Sequence, residues 1–171
     1  MRRHEVHFAV DAPRHRVWRA FHPRVPPPTG ARRVFEYDGG RIEIIREGDE
    51  HGEGLVRTCE FRVPRWLGSG GKARSWEVVT EVRPDEYASY EAVGKPLWSR
   101  ATGWHELSDL PDGRTGLTFV ETYDTFNPVL RVLFEARVHS FISRRNEETY
   151  TALLGSLGAV ERLTRPTPPS A

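Results

Sequence analysis

The chain has 171 residues, the length of one domain with a single hydrophobic core. Its 25 Lys and Arg residues nearly balance 24 Asp and Glu residues, and a chain that neutralises nucleic-acid phosphates needs a basic excess. We therefore predict no nucleic-acid partner.

A single cysteine, Cys59, excludes an internal disulfide. No apolar run approaches the roughly 20 residues of a membrane span. The N-terminus shows no apolar signal segment, so a cytoplasmic location is expected.

The chain begins with a predicted strand and a short helix. Every second residue near the N-terminus is apolar, which indicates a strand with one buried face: Val6, Phe8 and Val10. The next apolar residues follow at helical spacing and predict a helix over 13–21. The segment 23–30 contains four prolines and is predicted to be an irregular loop.

Strands separated by short turns are predicted for the middle of the chain. The predicted strands are 33–37, 41–47, 53–63, 72–82, 86–93, 98–107 and 115–125. The pattern leaves open whether the first of these is a true strand. The breaks are rich in Gly, Pro and Asp, which favours antiparallel pairing of neighbours. We predict a curved antiparallel sheet of about six or seven strands.

The last predicted element is one long amphipathic helix. It begins after Asn127 as N-cap and extends from Pro128 to about Leu163, a length of about 35 residues. The segment 164–171 is rich in proline and is predicted to be a disordered tail. Residues 1–163 are thus expected to form a single domain.

This order of elements implies a pocket. A helix is about 10 Å wide and cannot fill the concave side of a strongly twisted sheet. Large side chains or a cavity must occupy the rest. We predict an α+β helix-grip fold with an apolar cavity for a small organic ligand. A fully packed core without a pocket is the alternative.

Local motifs resemble a known superfamily. Asp11-Ala12-Pro13 followed by Val17-Trp18 resembles the opening of the START/Bet v1-like (SRPBCC) superfamily, which includes polyketide cyclase/dehydrase and lipid-transport proteins. The hairpin at Pro111-Asp112-Gly113 and the final helix extend the resemblance over residues 3–163. The proline-rich segment departs from it, because the superfamily has a second short helix there.

The resemblance implies a helix-grip fold and an apolar ligand. It implies no particular reaction, because members include cyclases, hydrolases, carriers, hormone receptors and co-chaperones. It also implies no cofactor.

Alternation within four strands predicts which side chains enter the cavity. The polar candidates are Arg57, Arg74, His105, Glu121 and Tyr123. Further lining is expected from the sheet and from the long helix: Phe61, Trp76, Phe119, Phe134, Arg137 and Phe141. Because buried charges need partners, an Arg57–Glu121 ion pair is the structural alternative to a functional role.

In the functional interpretation, these side chains move protons and bind oxygen atoms of the ligand. Glu121 or His105 transfers a proton, and Tyr123 donates a hydrogen bond to a developing oxyanion. Arg57 anchors a carboxylate, enol or carbonyl oxygen. No group of His, Cys, Asp and Glu residues has the spacing of a metal site, so no metal is expected.

Three functions are compatible with this sequence. The first is binding or transport of a hydrophobic small molecule that is polyketide-like, aromatic or lipid. The second is a cofactor-free polyketide cyclase, aromatase or dehydratase. The third is a protein-interaction module similar to the co-chaperones, which an exposed patch around Trp66 and Trp98 would favour. The sequence is compatible with a monomer or a homodimer.

Overall fold

The computed structural model describes residues 1–22, 33–37, 40–67 and 69–164. The predicted proline-rich loop at 23–30 lies outside the described residues. So does the predicted tail, apart from Thr164.

Nine strands of the described chain form one antiparallel sheet. They are β1 (Arg2–Val10), β2 (Val34–Tyr37), β3 (Gly40–Arg46), β4 (Val56–Arg62), β5 (Lys72–Arg83), β6 (Tyr87–Gly94), β7 (Ser99–Asp109), β8 (Thr115–Thr125) and β9 (Val160–Leu163). The order is β2-β3-β4-β5-β6-β7-β8-β1-β9. The helices are α1 (Arg14–Phe21) and α2 (Pro128–Gly155), with a short 3-10 turn at Arg65–Leu67. The predicted α+β helix-grip architecture is confirmed.

The end of the chain differs from the prediction. The long helix stops at Gly155, and the predicted last turns form β9, which pairs with β1. Gly158 allows this reversal because a Cβ atom there would lie 2.2 Å from the carbonyl oxygen of Asp11. The Asp11 amide then donates to the carbonyl of Ala159 at 2.9 Å. The predicted count of six or seven strands was therefore too low.

The start of α2 agrees with the sequence. The Asn127 side chain accepts hydrogen bonds from the amides of Val129 at 2.9 Å and Leu130 at 3.1 Å. These bonds satisfy two of the donors that a helix leaves unpaired at its N-terminus. Asn127 is thus the N-cap, and Pro128 occupies the first turn.

Two apolar clusters lie between the sheet and α2. The first cluster joins β1, α1, β8 and the end of α2, and its members include Phe8, Val17, Leu117, Phe119 and Leu154. The second cluster lies further toward the start of α2 and contains Val63, Leu67, Ala73, Leu97, Tyr123 and Val138. No helix within the described ranges is long and apolar enough to cross a membrane.

Two glycines near the end of α2 give a matched test of the β9 junction. Gly158→Ala places a methyl group against the Asp11 carbonyl, so it should lower the free energy of unfolding by about 1–3 kcal/mol. Gly155→Ala is the control, because an added Cβ there meets nothing within 4 Å and alanine favours the helix. Urea denaturation measures both. Equal stability of the two variants would contradict the close approach.

Candidate functional site

The strand register identifies the face of the sheet that looks toward α2. Phe61 in β4 and Tyr123 in β8 both pack in the second cluster with Val138 of α2. Residues directly opposite in an antiparallel pair share a face. The cross-strand residue pairs from β4 to β8 therefore identify the polar side chains of the inner face, which are Arg57, Glu77, Tyr90, His105 and Glu121.

Glu121 is the central ionisable group of this face. Its side chain lies between the two apolar clusters and is only 5% exposed. One carboxyl oxygen accepts a hydrogen bond from the Tyr90 hydroxyl at 2.8 Å, and the other accepts one from the Asn146 amide at 3.3 Å. Burial raises the pKa of Glu121 to about 7, although both hydrogen bonds act to lower it. Both protonation states are therefore populated near neutral pH, as proton transfer requires.

Arg57 forms an ion pair with Glu77 instead of Glu121. Its Nε donates to the Glu77 carboxylate at 2.9 Å, and Ser75 donates to the other Glu77 oxygen at 2.8 Å. Arg57 and Glu77 are direct cross-strand partners, so the register decides the pairing, and the predicted Arg57–Glu121 pair was wrong. Burial alone lowers the pKa of Arg57, but Glu77 more than offsets it and the pKa is raised.

The remaining donors of Arg57 are available to a ligand. The Nε of Arg57 donates to Glu77, and its other N–H groups have no hydrogen-bond partner among the described residues. The side chain keeps 32% of its surface exposed although protein surrounds it. A guanidinium with unused N–H groups can bind a carboxylate, enolate or carbonyl oxygen.

Aromatic and imidazole rings form one wall beside these charges. Trp18 and His22 stack at 3.9 Å between ring centroids, and the His105 ring lies 5.1 Å from His22 and 5.3 Å from Phe21. Burial lowers the pKa of His22 to about 4 and that of His105 to about 3. Both rings are therefore neutral at pH 7. The Nε2 atom of His105 is buried and has no hydrogen-bond partner among the described residues.

The other predicted inner residues lie within the apolar clusters. Tyr123 is 5% exposed, burial raises its pKa, and its ring meets His139 edge-on at 5.5 Å. Phe61, Phe134 and Phe141 are half-buried against the second cluster, and Phe119 is buried in the first. These positions agree with the predicted orientation, and their roles in binding remain proposals.

Arg74 and Trp76 do not face α2, so their predicted orientation was wrong. Arg74 is exposed and pairs with Glu60 at 3.0 Å, and Trp76 is 50% exposed on the outer face. The cause is the register with β4, in which Arg74 pairs with Glu60 and Trp76 with Thr58, on the face opposite to Phe61 and Arg57. Arg137 is also wrongly placed by the prediction, because it lies exposed on the outer side of α2.

Small side chains leave space on the inner face of β6 and β7. Most inner residues of these two strands are small, and Tyr90, His105 and Leu107 are the larger ones; the small residues are Ala88, Ala92, Gly94, Ser99, Ala101 and Gly103. The Tyr90 ring lies over Gly103, where a Cβ atom would come within 2.5 Å of the ring. α2 itself packs mainly on β8 and β1, away from these strands.

Four polar side chains in this region are enclosed by protein and still keep some accessible surface. Protein atoms closely surround these four residues, yet none of the four is fully buried: Arg57, Tyr90, His105 and Tyr150. Surface that a water molecule can touch at an enclosed group requires room beside that group. These four side chains therefore border interior space between the sheet and α2.

Sequence reasoning missed several residues of the site. Glu77 and Tyr90 were missed because the alternation of β5 was misread and that of β6 was not used. Asn146 and Tyr150 lie on the inner face of α2, where they interrupt the apolar stripe that includes Val138 and Leu154. A polar residue within such a stripe is the signal that could have identified them.

A separate open groove of about 360 Å³ lies between β1 and α2. Its lining is polar and includes Arg2, His4, His139, Arg144 and Glu147. This polar lining does not fit the predicted apolar cavity.

Comparisons with known proteins identify the fold. No model of a protein family matches the chain, and no curated protein is a significant match. Solved structures do match. Ara h 8.0201 is 14% identical with a TM-score of 0.62, over 91% of this chain and 97% of that chain. The ZhuI aromatase/cyclase from Streptomyces sp. R1128 is 20% identical with a TM-score of 0.62, over 91% and 93% of the two chains.

A third similar structure is protein CV1439 from Chromobacterium violaceum, with 18% identity and a TM-score of 0.56 over 91% of this chain and 96% of that chain. The chain thus has the Bet v1-like helix-grip fold, and the resemblance to the START/Bet v1-like superfamily is confirmed at the level of fold. Identities of this size say nothing about ligand or reaction.

The raised pKa of Glu121 predicts a pH-dependent effect of Glu121→Gln on stability. The folded-state pKa of about 7 exceeds the value of roughly 4.3 expected in the unfolded chain. Ionisation of Glu121 therefore removes stability as pH rises between these values. Between about pH 5 and pH 8, the free energy of unfolding of the wild type should fall by about 2–3 kcal/mol relative to that of Glu121→Gln.

Urea denaturation at both pH values measures this difference. Glu106→Gln is the control, since Glu106 is an exposed carboxylate on β7. A stability difference between Glu121→Gln and wild type that stays constant with pH would contradict the raised pKa.

Proposed function

We propose that the protein binds a hydrophobic small molecule with polar oxygen atoms in the space between the sheet and α2. The observation that carries the proposal is the accessible surface at Arg57, Tyr90, His105 and Tyr150 beneath the helix. The small inner residues of β6 and β7 supply the room. Polyketide-like, aromatic and lipid molecules are the ligand classes that suit such a site.

The arrangement of the site suits a ligand with an apolar body. The two apolar clusters lie at either end, and the Trp18, Phe21 and His22 rings offer flat surfaces for stacking. The N–H groups of Arg57 that have no partner among the described residues supply a strong anchor for an oxygen atom. His105 is neutral and lies beside the Phe21 and His22 rings, so it extends this wall without a charge to desolvate.

Filling the space should abolish binding. Ala101 faces inward on β7 beside Tyr123 and Ala92, so Ala101→Trp should occupy the ligand volume. We expect its affinity for an apolar aromatic ligand to fall by roughly a hundredfold or more, because the ligand and the indole cannot share the space. Val93→Trp is the matched control, because Val93 is exposed on the outer face of β6.

Native mass spectrometry of the purified protein supplies the ligand, and isothermal titration measures its affinity for each variant. A co-purifying mass in wild type and Val93→Trp, lost in Ala101→Trp, is the expected result. Undiminished binding by Ala101→Trp would place the ligand elsewhere. Binding lost equally in both variants would point to damage to the fold.

A second proposed function is cofactor-free cyclisation or dehydration of such a ligand. The specific observation in its favour is Glu121, a buried carboxyl with a pKa near 7 held by Tyr90 and Asn146. The similarity in fold to the ZhuI aromatase/cyclase is compatible with this proposal, although a shared fold does not establish a shared reaction.

The proposed chemistry is an aldol closure followed by loss of water. The Glu121 carboxylate takes the proton from the carbon between two carbonyl groups, and Arg57 stabilises the enolate oxygen. The enolate carbon then attacks a second carbonyl carbon, so one C–C bond forms and an alkoxide results. Protonated Glu121 returns its proton to that alkoxide, and elimination of water completes the reaction without an oxidant or reductant.

Two substitutions test the role of Glu121. Glu121→Gln should abolish turnover while ligand affinity is retained, because the amide cannot carry the proton. Tyr90→Phe removes a hydrogen bond that lowers the pKa of Glu121, so the rise of kcat with pH should move up by about one pH unit. Tyr87→Phe is the control, since Tyr87 faces outward and stacks on Trp104. Wild-type turnover by Glu121→Gln would exclude this proton-transfer role.

A further inference from the structure

One end of the molecule exposes a patch of large apolar side chains. Six of them lie on three segments, the 3-10 turn, the β6–β7 connection and the start of α2, and are between 53% and 82% exposed: Trp66, Trp98, Phe126, Val129, Val132 and Leu133. We call these six residues the apolar tip. Single exposed apolar residues need no explanation, but a group of this size does.

The apolar tip continues directly from the interior of the protein. Leu67, Leu97, Leu130 and Phe134 are the chain neighbours of tip residues, and all four pack in or against the second cluster. The amide of Phe126 donates to the carbonyl of Trp98 at 3.1 Å, which joins the β6–β7 connection to the start of α2. The tip therefore lies over the end of the interior site near the second cluster.

The backbone at Trp98 is held in an unusual conformation. Its φ angle of 51° lies in the left-handed region, which bulky residues rarely adopt. Such a conformation costs free energy and occurs where the surrounding structure enforces it, often at functional surfaces. Here it accompanies an indole ring that remains 54% exposed.

The segments around the apolar tip carry more basic than acidic residues, in contrast to the balanced charge of the whole chain. The segments 62–72, 95–100 and 124–137 contain two acidic residues, Asp124 and Glu135, and seven basic ones: Arg62, Arg65, Lys72, Lys95, Arg100, Arg131 and Arg137. Three of the basic side chains are in ion pairs: Arg131 with Asp124 at 3.0 Å, Lys72 with Glu60 at 2.8 Å and Arg100 with Glu91 at 2.7 Å. Glu135 is buried and accepts from the Thr125 amide. Among the described residues, no ion pair occupies Arg62, Arg65, Lys95 or Arg137, so the surroundings of the tip keep a net positive charge. Lys95 lies 5.1 Å from the Trp98 ring.

We propose that the apolar tip docks on the surface of an anionic lipid membrane. Aliphatic side chains such as Val132 and Leu133 enter the acyl region, the indoles take the interfacial layer, and the surrounding Lys and Arg side chains meet the lipid headgroups. The inference rests on the proposed binding function, because docking would bring the ligand site against the bilayer. An apolar ligand could then enter or leave without crossing water.

The charge pattern favours this occupant over a second copy of the chain. In a symmetric dimer through the tip, the same basic residues would face each other across the axis, and like charges repel. A membrane needs no complementary shape and tolerates a protruding tip of aliphatic and indole side chains.

Co-sedimentation with vesicles tests the docking. Wild type should bind vesicles of phosphatidylcholine mixed with phosphatidylglycerol and bind pure phosphatidylcholine much more weakly. Leu133→Asp should reduce binding to the mixed vesicles by roughly tenfold or more, because a charge cannot enter the acyl region. Lys95→Glu should reduce it by a smaller factor that vanishes at high salt. Ile45→Asp is the control, since Ile45 is 50% exposed on β3, outside the three tip segments.

The outcomes separate this proposal from its alternatives and from the ligand site. Absence of wild-type binding to anionic vesicles, or equal binding by Leu133→Asp, overturns the docking. Concentration-dependent dimerisation in sedimentation velocity, lost in Leu133→Asp without vesicle binding, assigns the tip to self-association instead. Ala101→Trp should still bind vesicles after losing the ligand, so failure of the ligand site and failure of docking are distinguishable.

Discussion

One helix of 28 residues faces a sheet of nine strands, and most features of the molecule follow from that mismatch. α2 packs closely on β8 and β1, and among the described elements α1 covers the inner face of β7 at His105. The other inner residues of β6 and β7 are mainly Ala, Ser and Gly, too small to fill the space between the sheet and α2. Interior space with accessible polar groups is the physical consequence, because a helix is about 10 Å wide and the sheet curves away from it.

Two carboxyl groups, those of Glu77 and Glu121, lie on the inner face of the sheet in different environments. Glu77 has Arg57 as its cross-strand partner and receives a second hydrogen bond from Ser75. Within the described part of the chain, Glu121 accepts hydrogen bonds from the neutral donors Tyr90 and Asn146, so burial dominates and raises its pKa to about 7. One carboxyl group thus has a cationic partner and the other has neutral donors, and such a difference of environment is the usual basis for dividing structural and proton-transfer roles.

The two ends of the interior site are also unlike. At the α1 end, Val17, Trp18 and Leu154 are buried in the first cluster. At the other end, the second cluster lies beneath the apolar tip and its basic surroundings. This difference connects the proposed ligand site with the proposed membrane docking. A ligand beside Arg57 and Glu121 would reach the membrane through the end that carries the apolar tip, and not through the α1 end.

The sequence by itself determined the helix-grip order of elements, the Asn127 cap and the inward orientation of β4, β7 and β8, because each depends on local spacing that survives in the folded chain. Only the tertiary structure decided that Trp76 faces outward, since its pairing with Thr58 of β4 sets the face on which it lies. The structure also decided that Glu77, not Glu121, pairs with Arg57, and that the chain after Gly155 becomes β9. Register and edge pairing join residues far apart in sequence, so no local pattern contains them.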